Sequence, residues 1–327
     1  MCIQDQKCCA FLSLHSMGIP TQGCLYDVAW IRSIELPVSP SATCFVSLPH
    51  RTITFLQTIA QGSFGFIDRA RYEEEGKDLY VKRPIRPGTK LLLEACVQQL
   101  VGELLTRHGW PHRVPAVRAI FRLPDRSVGF AMEEMEHATT LHTYLDGLPD
   151  QEFVLVVQEC ILQLCGMMWQ LHHSLGMNHR DVKPSNLMIR QVIDHRIIQV
   201  EHELLEYTFH YSVILIDFGF SCVGSGVSLS SVYPQTDPCP KEGRDMYLFL
   251  AFLYIDYHAR LPVRLRTLFE SWLDPAGSMC RMMRQDPENS KEWIYFITGD
   301  ERLQRLECTP LRVFRDLCAT WGGLKGM

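Results

Sequence analysis

No C-x-x-C pair occurs in this chain, although it holds 13 cysteines in 327 residues. Zinc ribbons and fingers need paired thiolates at such spacing, so a zinc framework is not expected. The cysteines are odd in number and irregularly placed, with Cys8 and Cys9 adjacent and Cys96, Cys160, Cys165 and Cys222 far apart. That pattern suits reduced thiols packed as small apolar groups better than a secreted bridge framework. Basic charge is not in excess either: 32 Lys and Arg stand against 37 Asp and Glu, a net −5. The sum gives no general attraction to nucleic acid or to an anionic membrane, and neither is expected as a partner. The most apolar run, residues 246–254, falls well short of the roughly 18 residues that span a bilayer. Residues 1–9 carry Asp5 and Lys7 and lead into no sustained apolar stretch, so no signal peptide is expected. Repeats and low-complexity tracts are missing as well. A soluble, intracellular protein fits these absences.

The residues present divide unevenly. Residues 1–51 read as an extension without a clear pattern, broken by turn signals at Pro20 and at Pro37 and Pro40. Residues 53–59, 64–70 and 78–82 are short runs of aromatic and β-branched residues separated by Gly, Glu and Lys, the pattern of successive antiparallel strands. After Pro87 and Gly88, apolar residues at Leu93, Val97, Leu100, Leu104 and Leu105 predict an amphipathic helix over 90–108. Strand character returns at 117–122 and 128–132. Beyond a boundary near 133–137 the composition turns helical, with segments at 153–173, 245–257, 263–272, 291–296 and 311–321, and a short apolar strand at 213–216. Strands followed by helices describe an α+β arrangement.

Three segments carry chemistry. His179, Arg180, Asp181, Val182, Lys183, Pro184, Ser185 and Asn186 set a carboxylate, a cation two residues on and an amide five residues on within one loop. Phosphoryl transfer needs a carboxylate to take the attacking hydroxyl's proton, a cation beside the moving phosphate and oxygen ligands for a divalent ion. A bland alternative is a polar turn after a helix. Downstream, Ile214, Leu215 and Ile216 lead into Asp217, Phe218 and Gly219, a strand that ends in a carboxylate able to hold Mg²⁺ against phosphates. Upstream run Ile59, Ala60, Gln61, Gly62, Ser63, Phe64, Gly65, Phe66 and Ile67, where two glycines permit a hairpin whose backbone N–H groups approach phosphate oxygens. Alone this is an ordinary tight turn, and Lys82, closing the strand Leu79, Tyr80, Val81, is an ordinary solvated lysine.

In this order (glycine hairpin, strand lysine, helix, H-R-D-x-x-x-x-N loop, D-F-G) the segments resemble the eukaryotic-type protein kinase family, from about residue 52 to 257. The resemblance implies a bilobal fold over residues 52–327, with a strand-rich first lobe at about 52–134 and a helical second lobe at about 135–327. It implies ATP and Mg²⁺ as cofactors and a protein as substrate. Asp181 would be the catalytic base, Lys82 would hold the α- and β-phosphates, and Asn186 and Asp217 would ligate magnesium. Lys183 is typical of the Ser/Thr-directed branch. The residues 59–67 would cover the nucleotide, with Ile67 on the adenine ring, Met132 as gatekeeper and the backbone from Glu133 to Met135 receiving adenine. Asp245 would anchor the catalytic loop. The acidic partner of Lys82 is Glu94, 12 residues on, or alternatively Glu103, with Gln98 in the family's packed position for the former. The short segment after D-F-G, the reduced second lobe and the Glu94-Ala-x-x-Gln98 pattern are similar to compact kinases of large DNA viruses.

The chain departs from the family at four places. Ala60 stands for the first glycine. Tyr80 stands where a small residue faces adenine, and its ring either narrows the pocket or turns aside. A 31-residue step separates Asn186 from Asp217, and the alternation within 191–211 predicts an excursion of paired strands. No A-P-E follows D-F-G, so the substrate-binding segment is abbreviated. Ser228, Ser230, Ser231, Tyr233 and Thr236 lie in it, and Arg180 would receive a phosphate placed there. Two other readings stay open: a pseudokinase scaffold, favoured by Tyr80 and the missing A-P-E, and a small-molecule phosphotransferase on the same fold. His172, His173, Trp169, Met282 and Met283 read as packing groups.

Overall fold

The structure is a computed structural model that describes residues 45–48, 51–62, 65–72, 75–86, 89, 91–122, 127–224, 227–228, 237, 239–274, 277–300 and 306–322. The extension 1–44 and Ser63, Phe64, Ser230, Ser231, Tyr233 and Thr236 lie outside them, as do the side chain of Ser228 and the cysteines before Cys96. The chain divides into two compact units, residues 1–103 with 114–136 and residues 104–113 with 137–327.

The first unit is built on a six-stranded sheet. Strands β1 (Phe45–Leu48), β2 (Arg51–Gln61), β3 (Gly65–Tyr72) and β4 (Lys77–Pro84) precede helix α1 (Leu91–Arg107), and β5 (Val117–Arg122) and β6 (Val128–Glu133) follow it. All neighbours are antiparallel, in the order β1-β2-β3-β4-β6-β5. The two-residue period of the strands sorts side chains onto two faces. Leu79, Val81 and Ala131 join Ile53, Ala70, Tyr72 and Phe121 in one core. The intervening residues face α1: Phe130 packs with Leu91 and Ala95, and Met132, Val117 and Ile120 adjoin them. Lys82 is paired with Phe130 across β4 and β6, so it shares the α1 face.

The second unit runs β7 (Thr139–Thr140), α2 (Leu141–Asp146), α3 (Asp150–Leu175), β8 (Met177–Asn178), β9 (Leu187–Val200), β10 (Glu203–Leu215), β11 (Cys222–Val223), β12 (Val227–Ser228), α4 (Arg244–Tyr257), α5 (Val263–Leu273), α6 (Ser278–Gln285), α7 (Pro287–Gly299) and α8 (Pro310–Gly322). Helix α3 is apolar almost all round because it is a core element. By length and composition it passes as a membrane span, which the sequence reading did not anticipate, yet 78% of its most apolar window is buried inside the fold. It ends at Gly176, left-handed at φ 56°, whose N–H returns to His172 O.

The excursion at 191–211 is a long antiparallel hairpin, registered from Leu187↔Leu215 at its root to Val200↔Glu203 at its tip. The apolar residues at 213–216 are therefore not a separate short strand; Val213, Ile214 and Leu215 finish β10. A bulge between Phe209 and Tyr211 breaks the ladder. There α3 supplies the missing partners. Buried Glu159 accepts from the N–H groups of His210 (2.9 Å) and Tyr211 (3.1 Å), and Gln163 accepts from Val213 N (3.1 Å) and donates to Tyr211 O (3.0 Å). The edge strand is thus closed off by helix side chains.

Two expectations need correction. Cys222 and Cys239 form a disulfide, against the reading of reduced thiols; among the described residues Cys96, Cys160, Cys165, Cys280, Cys308 and Cys318 stay free. Sequence spacing alone does not reveal that the chain after D-F-G folds back to bring 222 and 239 together. Helix α6 was also unforeseen, being only eight residues long, although its Met283 is buried as expected of a packing group. Trp169 and Met282 are only partly buried, and the Trp169 ring stacks on His173 with centroids 3.6 Å apart.

Gly166 lies in mid-helix, where alanine ordinarily gains about 1 kcal/mol. Here a Cβ would fall 2.7 Å from the Trp110 ring and 3.0 Å from Ile198, and Trp110 is itself buried beneath Arg196. Overpacking of this kind costs roughly 1–3 kcal/mol and should outweigh the propensity gain. Gly166→Ala is expected to lower the urea midpoint of unfolding. An equal or higher midpoint would show that the helix and Trp110 can separate freely.

Candidate active site

In the first unit, Lys82 Nζ donates to Glu94 Oε1 at 2.5 Å, and both side chains are buried. Glu103 instead accepts from Gln99 Nε2 at 3.1 Å. Helix geometry explains the choice: nine residues is two and a half turns, so Glu94 and Glu103 project from opposite sides of α1. Gln98, one turn beyond Glu94, donates to Pro115 O (2.7 Å) and approaches Met132 Sδ at 3.5 Å. The glycine hairpin joins β2 to β3, with Ala60 opposite Ile67 and Gln61 opposite Phe66, and Gly62 N–H donates to Gly65 O at 2.9 Å. Ala60 lies in extended strand, where a Cβ costs nothing. Gly65 has no such freedom, because a Cβ there would meet Arg83 O at 2.5 Å and Lys82 Cγ at 3.3 Å. The strand carrying Lys82 therefore runs close beneath the hairpin.

Ile59, Ala60, Gln61 and Gly62 are exposed and Phe66 and Ile67 half-buried. Met135 is buried. The Glu133 N–H donates to Ala116 O and its carboxylate takes Arg118 at 2.6 Å. Tyr80 is half-buried and donates its hydroxyl to Glu134 Oε1 at 3.2 Å. Burial first, and the Glu134 charge second, raise this phenol above its ordinary range, so it stays a donor.

In the second unit the loop after β8 hangs on one carboxylate. Asp245, in the first turn of α4, accepts from His179 N (3.0 Å), Arg180 N (2.8 Å) and Asn178 Nδ2 (3.2 Å). Arg180 takes φ 66°, a left-handed turn that swings the next residue out of the chain's path. Asp181 follows, 97% buried by exposure, and is held at both oxygens: Asn186 Nδ2 donates to Oδ2 at 2.5 Å, while Lys183 Nζ lies 3.0 Å from Oδ1 and Tyr295 Oη donates to the same atom. Ile216 N–H donates to Asn186 O at 3.3 Å, beside the root of the hairpin. Asn186 and Asp217 thus emerge next to each other where β9 begins and β10 has just ended. Asp217 is left-handed at φ 62° and accepts from Gly219 N at 3.4 Å. The His179 ring meets Ile216 O at 3.1 Å and stands 4.8 Å from the Phe218 ring, tying the loop to D-F-G.

Arg180 already has an anionic partner. Its guanidinium donates to Asp237 at 3.0 Å, in the abbreviated segment, and Lys241 (3.0 Å) and Arg244 bind the same carboxylate. Lys241 and Arg244 also donate to Thr298 O, at 2.8 and 2.9 Å, at the end of α7. Burial, followed by Arg244, pulls Lys241 below its ordinary value.

Two residues in this centre escaped sequence reasoning, Asp237 and Tyr295. Neither belongs to a motif, and Tyr295 reaches Asp181 from 114 positions away. Only the helical spacing of 291–296 hinted that α7 existed. An Asn amide oxygen and an Asp carboxylate suit Mg²⁺, which keeps water and phosphate oxygens for its other positions. Among the described residues no group of three His, Cys, Asp or Glu is placed to hold a metal ion.

No protein-family model matches the chain. Over 146 residues, 44% of this chain, it is 30% identical to the mitogen-activated protein kinase hog1 of Aspergillus clavatus, of which it covers 38%. It is likewise 30% identical over 144 residues to the mitogen-activated protein kinase sty1 of Schizosaccharomyces pombe, covering 43% of this chain and 39% of that one. The chain therefore spans about two fifths of the length of the curated relatives it matches. The crystal structure of the BubR1 kinase domain aligns with a TM-score of 0.51 over 94% of this chain and 93% of that one, at 14% identity. The chain has a divergent protein-kinase-like fold of the α+β class, with an antiparallel strand-rich first part and a helical second part. These relatives are fungal, and the likeness to viral kinases gains nothing from them.

Asp237 carries three cations whose side chains, like its own, are 0–2% exposed. Removing its charge leaves them crowded in a low-dielectric site, which costs roughly 3–5 kcal/mol for a buried pair. Asp237→Asn is expected to lower the melting temperature markedly. A melting temperature within a degree of wild type would show that the three cations are neutralised by other groups.

Proposed function

We propose that the chain is an ATP-dependent protein kinase that phosphorylates serine or threonine hydroxyls. The observation that carries this reading is the state of Asp181: a buried carboxylate, fixed at both oxygens, with Lys183 and Asn186 on it and Asp217 beside them. These donors fix the orientation of the carboxylate, which a general base requires. A carboxylate offers about four acceptor positions, so one remains for an incoming hydroxyl on the Oδ2 side.

In this reading the acceptor hydroxyl gives its proton to Asp181 as its oxygen forms a bond to the γ-phosphorus. The bond from that phosphorus to the bridging oxygen breaks, and ADP leaves with the electron pair. Lys183 places positive charge beside the carboxylate where phosphate negative charge arrives. Asn186 and Asp217 would hold Mg²⁺, which when bound offsets the charge of the phosphates. Lys82 would bind the α- and β-phosphates, its ammonium aimed by Glu94. The hairpin from Ile59 to Ile67 would cover the phosphates with backbone N–H groups, and the backbone from Glu133 to Met135 would receive adenine. The hydrogen bond from Tyr80 to Glu134 supports a ring turned along the strand toward the end of β6. The protein-directed pair Arg180 and Lys183 supports a protein acceptor over a small molecule.

Transfer of radiolabel from ATP and Mg²⁺ to a general acceptor such as casein tests the proposal. Asp181→Asn, which keeps the shape and removes the base, is expected to cut kcat by about 10²–10⁴. Lys82→Met is expected to abolish most transfer. Equal labelling by wild type and Asp181→Asn would assign the signal to a contaminant and leave a scaffold.

A further inference from the structure

Tyr295 sits in the middle of α7, far from every motif, yet its hydroxyl donates to Asp181 Oδ1 and receives Lys183 Nζ at 3.1 Å. We propose that Tyr295 is a positioning residue for phosphoryl transfer, an external brace that fixes the Asp181 carboxylate and the Lys183 ammonium relative to each other. This rests on Asp181 being the catalytic base.

One phenol has a single proton and two lone pairs. Spending the proton on the carboxylate and a lone pair on the ammonium sets the rotation of both groups at once. Lys183 alone is a flexible four-carbon stem with a compact charge, and gives Asp181 no directional hold. The ammonium also lies 5.9 Å from the centroid of the Phe252 ring, which stands 5.9 Å from the Tyr295 ring at 61°. Phe252 belongs to α4, the same helix whose Asp245 suspends the loop from the other side.

The brace is itself anchored. At its start α7 is capped by Asp286, which accepts from Asn289 N at 3.4 Å and from its Nδ2 at 2.5 Å, and Pro287 opens its first turn. At its end Thr298 O takes Lys241 and Arg244, two of the three cations of the Asp237 cluster. A hydroxyl placed by a helix fixed at both ends moves far less than one on a loop. The segment 220–244 is short and ends in that same cluster. Part of the loop's support comes from a helix some fifty residues further on.

The opposite role would also place a hydroxyl on Asp181: Tyr295 could occupy the acceptor's seat and block it. The two differ in sign. Steady-state kinetics of wild type, Tyr295→Phe and Phe296→Ala with ATP and a protein acceptor separate them. Phe296 is 71% exposed on the same helix and serves as the control for helix damage. As a brace, Tyr295→Phe lowers kcat about tenfold, leaves KM for ATP within twofold and keeps the melting temperature, while Phe296→Ala matches wild type. An unchanged kcat in Tyr295→Phe overturns the proposal. A raised kcat, or a lowered KM for the acceptor, overturns it in favour of a plug. A loss of kcat shared by Phe296→Ala, or accompanied by a collapsed melting temperature, reduces Tyr295 to a structural part. Transfer absent from wild type itself would fell the kinase reading and this role with it, whereas an active wild type indifferent to Tyr295→Phe fells this role alone.

Discussion

The carboxylate of Asp245 is the constraint from which the chemistry of the second unit follows. Arg180 adopts a left-handed conformation that costs a non-glycine residue about 1–3 kcal/mol. Left to itself the loop would relax. Two backbone N–H groups and one side-chain amide, all buried, converge on Asp245 instead. Each bond from a charged acceptor contributes roughly 1.5–3 kcal/mol, and any of these donors left unmade would cost a comparable amount. The balance favours the twisted loop. Its turn at Arg180 sends that side chain to Asp237 and delivers Asp181 to Asn186, Lys183 and Tyr295.

Around that loop the fold uses few pieces for several tasks. Helix α4 suspends the loop through Asp245, supplies Phe252 to the Lys183 ammonium and sends Arg244 into the Asp237 cluster. Helix α7 closes the arrangement through Thr298 and Tyr295. Buried ions of this kind add little net stability over a well-packed apolar core, but they fix geometry because any misplacement strands a charge. The arrangement specifies one conformation of the loop more than it strengthens the domain.

Much of this was legible in the sequence where a local rule decided the outcome. Period-two strands, the helix after Gly88 and the long excursion before D-F-G follow from pattern, and their ends moved by only a few residues. The choice between Glu94 and Glu103 stayed open on spacing alone, since it turns on which side of a helix meets a strand lysine. Elements held by distant partners were not readable. Asp237 looks like one more acidic residue in a polar loop, and the bond between Cys222 and Cys239 depends on where the chain returns. Tyr295 is ordinary in a helix until α7 is laid against the loop. Helix α6 was too short to show a period. The motifs mark the loop and the strand end in the sequence, while supports such as Asp237 and Tyr295 appear only in three dimensions.

The hairpin of β9 and β10 has its root at Leu187 and Leu215, beside Asn186 and Asp217, and its tip at Glu201 and His202. Beyond the bulge at Phe209 the arm still packs on the body of the unit, since Ile198 and Val200 are buried and Arg196 lies over Trp110. Matched additions confined to the exposed turn at Glu201 and His202 would leave the pair at the base undisturbed, for the closure entropy of such a loop varies only slowly with length. An odd change in one strand would roll its side chains to the other face. Evolution can therefore tinker with the turn at the tip of this arm, a place to graft new surface, while Asn186 and Asp217 behind it keep their spacing.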